Sequence, residues 1–152
     1  MPGYWELVEP VWEEISIYDG PAVYLAGIHA VSEPVGLLFA AHWAYVETGN
    51  GGFSQFFSNS TGVVAPEAVR GFRTIGLHQT AAIFERAMAH FGRIYPRDRD
   101  ERNAAMRGVN TATDYRPDPA FDPFDREMWP LVSEEAGGFE AAADRYADQL
   151  PR

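Results

Sequence analysis

The sequence predicts an all-α protein, a compact single-domain bundle of short and medium helices. Apolar residues recur at spacings of three and four along most of the chain, as they do in helices with one buried face. Clusters of glycine, proline and polar residues interrupt this pattern, for example at residues 19–21 and 137–138. A length of 152 residues with 46% hydrophobic composition suits one core, so we expect one helical domain over residues 1–152.

The first predicted helix covers residues 4–18, where apolar and acidic positions fall on different helical faces. Its apolar positions are Trp5, Val8, Trp12 and Ile15. Because Pro10 lies inside this segment, the helix either begins near Glu9 or is kinked at the proline.

The next segments are predicted to supply the centre of the bundle. Residues 22–31 form a short apolar stretch that we interpret as a helix, with a buried strand as the alternative. Ser32 is a candidate N-cap for a long apolar helix through Val46, which the glycine-rich residues 48–52 are expected to end. Residues 53–58 then form a short aromatic helix.

The second half of the chain is predicted to contain further helices and one long loop. A helix begins at Pro66 and another covers residues 78–91, and the two either pair as a hairpin or run on as one. The remaining predicted segments are a weakly helical stretch at 93–107, an exposed loop at 110–123, a short docking helix at 124–132 and a closing helix at 139–150.

The charge distribution excludes several classes of function. The net charge is −10, so the protein is expected to repel nucleic acid and anionic lipid. Two acidic flanks enclose a middle region, residues 70–107, that holds eight of the twelve arginines. The chain has no cysteine, no apolar run long enough to span a bilayer and no basic, apolar leader. We therefore expect a cytoplasmic protein without direct nucleic-acid or membrane binding; the sequence indicates no oligomeric state.

The sequence contains no recognisable catalytic or metal-binding motif. Its four histidines, His29, His42, His78 and His90, lack the spacing of a helical metal site. The glycine-rich residues 49–52 lack the lysine and hydroxyl of a P-loop. We expect no enzymatic activity, no metal and no cofactor.

Acidic residues near the amino terminus are the first candidate site. Glu6, Glu9 and Glu13 would lie about 6 Å from their neighbours along one helix face, a separation close to that of successive phosphates on a nucleic-acid strand. Together with Glu14 they form a candidate partner-binding row that could imitate DNA. An ordinary solvated helix face is the alternative interpretation.

The segment between Glu47 and Gly62 is the second candidate site. It is predicted to be a tight corner between helices, with glycines allowing close backbone approach and three phenylalanines anchoring the core. Its amide side chains would satisfy backbone groups at the helix ends. A polar ligand pocket at this corner is the alternative.

This corner also carries a resemblance to a known family. The residues concerned are Asn50, Gly51, Gly52, Phe53, Gln55, Phe56, Phe57, Asn59 and Gly62. They resemble the signature of a bacterial family of helical domains of unknown function typified by DNA mimic protein 19. The order of the flanking segments, including Tyr95-Pro96, Arg102 and Tyr146, is similar over most of residues 30–150. The resemblance implies an all-α fold, no catalysis and the presentation of negative charge to a transcription regulator.

Our leading hypothesis is therefore a non-catalytic acidic interaction protein that acts as a DNA mimic and binds a DNA-binding protein. The contacts would come from Glu6, Glu9, Glu13, Glu14 and carboxylates of the acidic carboxy-terminal third. One alternative is a small-ligand binder or enzyme that uses the corner at residues 50–62 with Glu47 or a histidine. Another is an inhibitor or immunity-like partner of a toxin, which would use the same acidic surface.

Overall fold

The longest helix, α3 (Glu33–Ser58), lies at the centre of the protein. The computed structural model describes residues 3–151. The other helices are α1 (Trp5–Val8), α2 (Pro21–Ala30), α4 (Ala65–Thr74), α5 (His78–Met88), α6 (Arg99–Ala105), α7 (Asp122–Glu134) and α8 (Phe139–Gln149). A short antiparallel pair joins β1 (Val109–Asn110) to β2 (Tyr115–Arg116). The predicted all-α fold is confirmed.

Small residues allow α3 and α4 to pack closely. Ala40, Ala41 and Ala44 of α3 are fully buried. Gly71 of α4 lies against the backbone of α3, where a Cβ would come within 2.5 Å of the Leu37 carbonyl oxygen. The interface between α3 and α4 therefore leaves no room for a larger side chain at this crossing.

Residues 48–52 end the first part of the central helix as predicted, although the break comes only at Gly52, the last of these residues. The helix continues through Gly51 and breaks at Gly52, whose φ of 77° is a value that residues with a Cβ rarely adopt. The Thr48 hydroxyl donates a 2.7 Å hydrogen bond to the carbonyl oxygen of Ala44, within the continuous helix. The carboxylate of Asp125 then accepts a 2.8 Å hydrogen bond from the backbone N–H of Phe53 and so starts the second half of α3.

The predicted amphipathic helix at residues 4–18 is wrong beyond its first turn. α1 makes about one turn, a 3₁₀ turn follows at Glu9–Val11, and the chain is not helical from there to α2. Pro10 lies in that 3₁₀ turn, as expected for a residue without a backbone N–H. Ile15 and Ile17, only 3% and 4% exposed, are both buried at a spacing of two. That spacing suits extended chain, and the helical interpretation overlooked Ile17.

The predicted exposed loop at 110–123 is partly structured. It contains β2 and a 3₁₀ turn at Pro119–Phe121, and Asp118 and Phe121 are buried. The Asp118 carboxylate accepts hydrogen bonds from the backbone N–H groups of Arg107 and Ala120, at 2.9 Å each. A buried carboxylate that accepts hydrogen bonds from backbone groups fixes this loop, which its proline and aspartate content alone had predicted to be exposed.

The other helices agree with the periodicity. Residues 22–31 form a helix, α2, and the strand alternative is excluded. α4 and α5 are separate helices joined at Gly76. Within residues 3–151 no helix is both long and apolar enough to cross a membrane.

Candidate functional site

The three phenylalanines of the corner are core residues. Phe53, Phe56 and Phe57 are fully buried in a cluster of aromatic rings. The ring of Phe53 lies edge-on to that of Phe84, with centroids 4.8 Å apart, and Phe57 contacts Phe121 at 5.1 Å. These rings join the second half of α3 to α5 and to the segment before α7, which is an architectural role.

The polar residues of the corner mostly bind one another. The Glu47 carboxylate accepts hydrogen bonds from the side-chain amides of Gln55, at 3.1 Å, and Asn59, at 3.4 Å. Asn50 is exposed and makes no such contact, whereas Gly62 is buried. The carbonyl oxygen of Gly62 accepts a 2.7 Å hydrogen bond from the Tyr95 hydroxyl. Glu47, Gln55 and Asn59 are therefore already engaged within the protein.

Arg102, which the sequence singled out only as part of the family resemblance, is a buried cation. Its side chain is 0% exposed, and its guanidinium donates hydrogen bonds to backbone carbonyl oxygens. These oxygens belong to Phe57 at 2.8 Å, Asn59 at 2.9 Å, Pro96 at 3.2 Å and Arg97 at 2.5 Å. Burial lowers the pKa of the guanidinium. Because the last carbonyls of a helix carry partial negative charge, this cation closes the carboxy-terminal end of α3.

Most arginines of the protein, including six of the eight in residues 70–107, bind other groups of the same chain. Five arginines are in ion pairs, which are Arg70–Glu33, Arg73–Glu85, Arg86–Glu127, Arg97–Glu67 and Arg116–Asp114. Arg99, Arg102 and Arg145 bind backbone carbonyl oxygens. In the described part of the chain only Arg93, Arg107 and Arg126 have side chains without such a partner. Most of the positive charge of residues 70–107 is therefore offset by carboxylates and carbonyl oxygens that the arginines contact.

The amino-terminal carboxylates are exposed and unpaired. Glu6, Glu9, Glu13 and Glu14 all lie on the surface, and within residues 3–151 none of them forms an ion pair. They do not form the single helical row that was predicted, because the chain leaves the helix after the 3₁₀ turn. Glu6 lies in α1 and Glu9 in that turn, whereas Glu13 and Glu14 follow in irregular chain.

The amino-terminal segment crosses α3 from α8 to α2. At one end, the backbone N–H of Tyr4 donates a 2.8 Å hydrogen bond to the Asp144 carboxylate of α8. In the middle, the ring of Trp12 stacks on that of Trp43, with centroids 4.9 Å apart. At the other end, the carbonyl oxygen of Glu14 lies 2.8 Å from the position that a Cβ on Gly27 of α2 would occupy. The segment is thus fixed in place by packing rather than by helical hydrogen bonds.

A face of α8 continues this acidic surface. Glu140, Asp144 and Asp148 are spaced four residues apart, so they share one face of the helix. Burial, and then the nearby carboxylates of Glu140 and Asp144, raise the pKa of the Tyr4 hydroxyl, which places this face beside the start of α1. We call the combined surface the acidic strip; it consists of Glu6, Glu9, Glu13, Glu14, Glu140, Asp144 and Asp148. Spacing alone could have revealed the α8 face.

His42 lies beneath the amino-terminal segment. Its Nδ1 is 2.8 Å from the Tyr4 hydroxyl oxygen, and the rings of Trp5 and Trp12 lie 5.2 and 5.7 Å away. Burial lowers the pKa of the imidazole, so His42 is neutral near pH 7 and adds no positive charge beneath the strip.

The alternative site at the corner takes the form of a groove rather than a polar pocket. A cavity of about 850 Å³ lies between α3 and α7, and Asn50, Gly51 and Gly52 are on its wall. Gln55 and the histidines are not among the residues that line it. In the part of the chain that the structure describes, no three His, Asp or Glu side chains are arranged to hold a metal ion.

These features define an acidic all-α protein with a structural aromatic corner and an exposed strip of unpaired carboxylates. A family model described as DMP19-like protein matches residues 29–150, and the chain belongs to this family. The match includes the corner and the α8 carboxylates and begins after Glu14. Searches of curated proteins and of solved structures give no match.

Proposed function

We propose that the protein is a non-catalytic interaction protein that binds a DNA-binding protein, such as a transcription regulator, by presenting the acidic strip in place of DNA phosphates. The observation that carries this proposal is the separation of charge. The strip carboxylates have no arginine partner, whereas the arginines elsewhere are mostly engaged in ion pairs or with backbone carbonyls. Membership of the DMP19-like family supports the same interpretation.

The mechanism would be electrostatic attraction to a basic surface. Exposed carboxylates attract the Lys and Arg side chains of a DNA-binding face, which speeds association and excludes DNA from the same face. Binding would weaken as the salt concentration rises, because exposed charges are screened over about 8 Å at physiological ionic strength.

The lack of catalysis is part of the proposal. Glu47, Gln55 and Asn59 bind one another, and Asp118 is buried and bound to backbone groups. A catalytic base must be free to accept a proton from a substrate, and the hydrogen bonds within the protein already engage these groups.

The test is competition between this protein and duplex DNA for one partner. A partner captured from the native host at low salt is mixed with labelled duplex DNA, and the protein is titrated against the complex. We expect it to displace the DNA. The triple variant Glu6→Gln, Glu9→Gln and Glu13→Gln should displace DNA at least about tenfold less effectively, because each change removes one exposed charge at nearly constant shape.

A matched control has the same change in net charge. Glu85→Gln, Glu101→Gln and Glu127→Gln also remove three carboxylates, all outside the acidic strip. We expect this control to displace DNA nearly as well as the unmodified protein. A captured partner without affinity for DNA, or equal loss in both triple variants, contradicts the mimicry proposal.

A further inference from the structure

The groove between α3 and α7 exposes apolar surface. Val46 of α3 and Trp129 of α7 are both exposed, with Trp129 75% accessible, and Met128 and Val132 complete the apolar wall. Exposed aromatic rings in a concave, apolar setting are typical of sites that anchor a partner side chain.

The same groove contains a carboxylate in a fixed position. One oxygen of Asp125, Oδ1, accepts the 2.8 Å hydrogen bond from the backbone N–H of Phe53, and the other oxygen lies over Gly52. Burial, and then the neighbouring Asp122, raise the pKa of this carboxyl group. Among residues 3–151 no basic side chain lines the groove, and Arg126, which follows Asp125 in the chain, is exposed outside it. The hydrogen bond from Phe53 and the charge of Arg126 lower the pKa of Asp125 and so compensate its charge only in part, and a cation bound in the groove would offset the rest.

Asp125 and Trp129 also lie on the same face of α7. They lie four residues apart on α7, so their side chains share one face of the helix and both border the groove. A planar guanidinium can pair with a carboxylate and stack on an indole at the same time, which a lysine ammonium cannot do as well.

We propose that this groove binds an arginine side chain of a partner protein together with an apolar side chain next to it. The guanidinium pairs with the free oxygen of Asp125 and stacks on Trp129. The apolar side chain lies between Val46 and Val132. A second copy of this chain is a poorer occupant, because each copy has a net charge of −10 and would bring further acids to an acidic groove.

The groove is separate from the acidic strip but adjoins it. Tyr45 lines the groove and stacks on Phe139 of α8, with centroids 4.4 Å apart. Burial and the Glu140 carboxylate raise the pKa of Tyr45, which places Glu140 beside this end of the groove. The inference does not depend on mimicry, because neither Asp125 nor Trp129 belongs to the strip.

The probe is a short fluorescent peptide with alternating arginine and leucine, titrated into the full-length protein at physiological salt. We expect Trp129→Ala and Asp125→Asn each to weaken binding about tenfold, since each removes one of the two guanidinium contacts. Asparagine keeps an oxygen that accepts from Phe53, and melting curves verify that the fold is retained. A peptide with citrulline for arginine, which has nearly the same shape without the charge, should bind about tenfold more weakly as well.

Two matched variants control for changes elsewhere. Tyr18→Ala removes another aromatic ring that is 73% exposed, and Glu134→Gln removes an exposed carboxylate of α7 outside the groove. Both should bind the arginine peptide like the unmodified protein.

Several results would overturn the inference. One is failure of the unmodified protein to bind the peptide, and another is binding by Trp129→Ala and Asp125→Asn that is as tight as that of the unmodified protein. Another is binding lost only in the Glu6, Glu9 and Glu13 triple variant, which assigns the peptide to the acidic strip. Equal affinity for the citrulline peptide would indicate a merely apolar groove. A dimer in sedimentation that Trp129→Ala dissociates would assign the groove to self-association. DNA displacement by the strip is measured separately, so the two proposals can fail independently.

Discussion

The Nε of Arg102 donates a 2.8 Å hydrogen bond to the carbonyl oxygen of Phe57, which joins a fully buried cation to the end of the central helix. Arg102 lies in α6 and Phe57 near the end of α3, so one side chain fixes two distant parts of the chain. The partners of this cation in the described structure are backbone carbonyls rather than carboxylates. Its removal therefore affects several backbone groups at once.

The first prediction concerns this cation. Arg102→Met should lower the free energy of unfolding by about 3–5 kcal/mol, because it leaves buried carbonyls without donors. Arg102→Lys should rescue little of this loss, since one ammonium cannot reach carbonyls on several sides of a guanidinium. Urea unfolding of the three proteins measures the difference. Near-normal stability of either variant would contradict a structural role for the guanidinium.

The second prediction concerns the glycine that faces Arg102. A Cβ at Gly62 would lie 2.7 Å from the Arg102 Nε, so Gly62→Ala should destabilise the fold by about 1–3 kcal/mol. Gly49 is the matched control, because it lies within α3 and a Cβ there meets nothing within 4 Å. Gly49→Ala should be neutral or stabilising by up to about 1 kcal/mol. Thermal and urea unfolding compare the two, and equal effects would contradict the close approach.

The third prediction concerns the aromatic corner. Phe57→Ala should destabilise the protein by about 3–5 kcal/mol, because truncation of a fully buried ring loses both transfer energy and packing. Tyr18→Ala removes an exposed ring and should change stability by no more than about 0.5 kcal/mol. If Phe57→Ala kept full stability and lost partner binding, the ring would belong to a functional surface instead.

The fourth prediction concerns α8. Glu140→Gln together with Asp148→Asn should weaken displacement of DNA from the captured partner, by a factor similar to that of changes in the amino-terminal segment. Both residues are exposed on the acidic strip. Asp144 is left unchanged because it binds the backbone N–H of Tyr4. Full displacement by this double variant would confine the contact surface to the amino-terminal segment.

The fifth prediction concerns pH. Burial lowers the pKa of His42 in the folded protein, whereas an unfolded chain has an imidazole pKa of about 6.5. Below about pH 6.5 the unfolded state therefore binds more protons at this site, and stability falls as the pH decreases towards the folded pKa. His42→Gln should lose less stability than the unmodified protein between about pH 7.5 and 5.5. His78→Gln, at an exposed position, is the control, and parallel pH curves for all three proteins would contradict the prediction.

The sequence predicted secondary structure most accurately where buried residues recur at regular helical spacing. The apolar spacing of residues 78–91 and 139–150 corresponds to α5 with its following 3₁₀ turn and to α8, because each buries one continuous face. The prediction from spacing was wrong in the amino-terminal segment, where Trp5 and Trp12 suggested one helix. Pro10 and the burial of Ile17 are incompatible with that helix. Tertiary packing against α3 decided that conformation.

The buried role of Arg102 had no local signal in the sequence. It lies among exposed charges in a weakly helical segment, and only the fold brings the end of α3 to it. The same holds for the charge balance, since the counts along the chain showed a basic middle region but not which acids would pair with it. The groove also depends on the placement of α7 beside Gly52, which the sequence does not reveal.

The internal pairing of the arginines has a consequence for encounters in solution. The paired charges leave little field at a distance, whereas the acidic strip on the amino-terminal segment and α8 holds seven carboxylates without an ion-pair partner in the described part of the chain. The acidic strip should therefore act as a distinct negative pole on one side of the molecule. A basic partner would turn that pole towards itself before any contact forms, so that more of its collisions begin in a productive orientation.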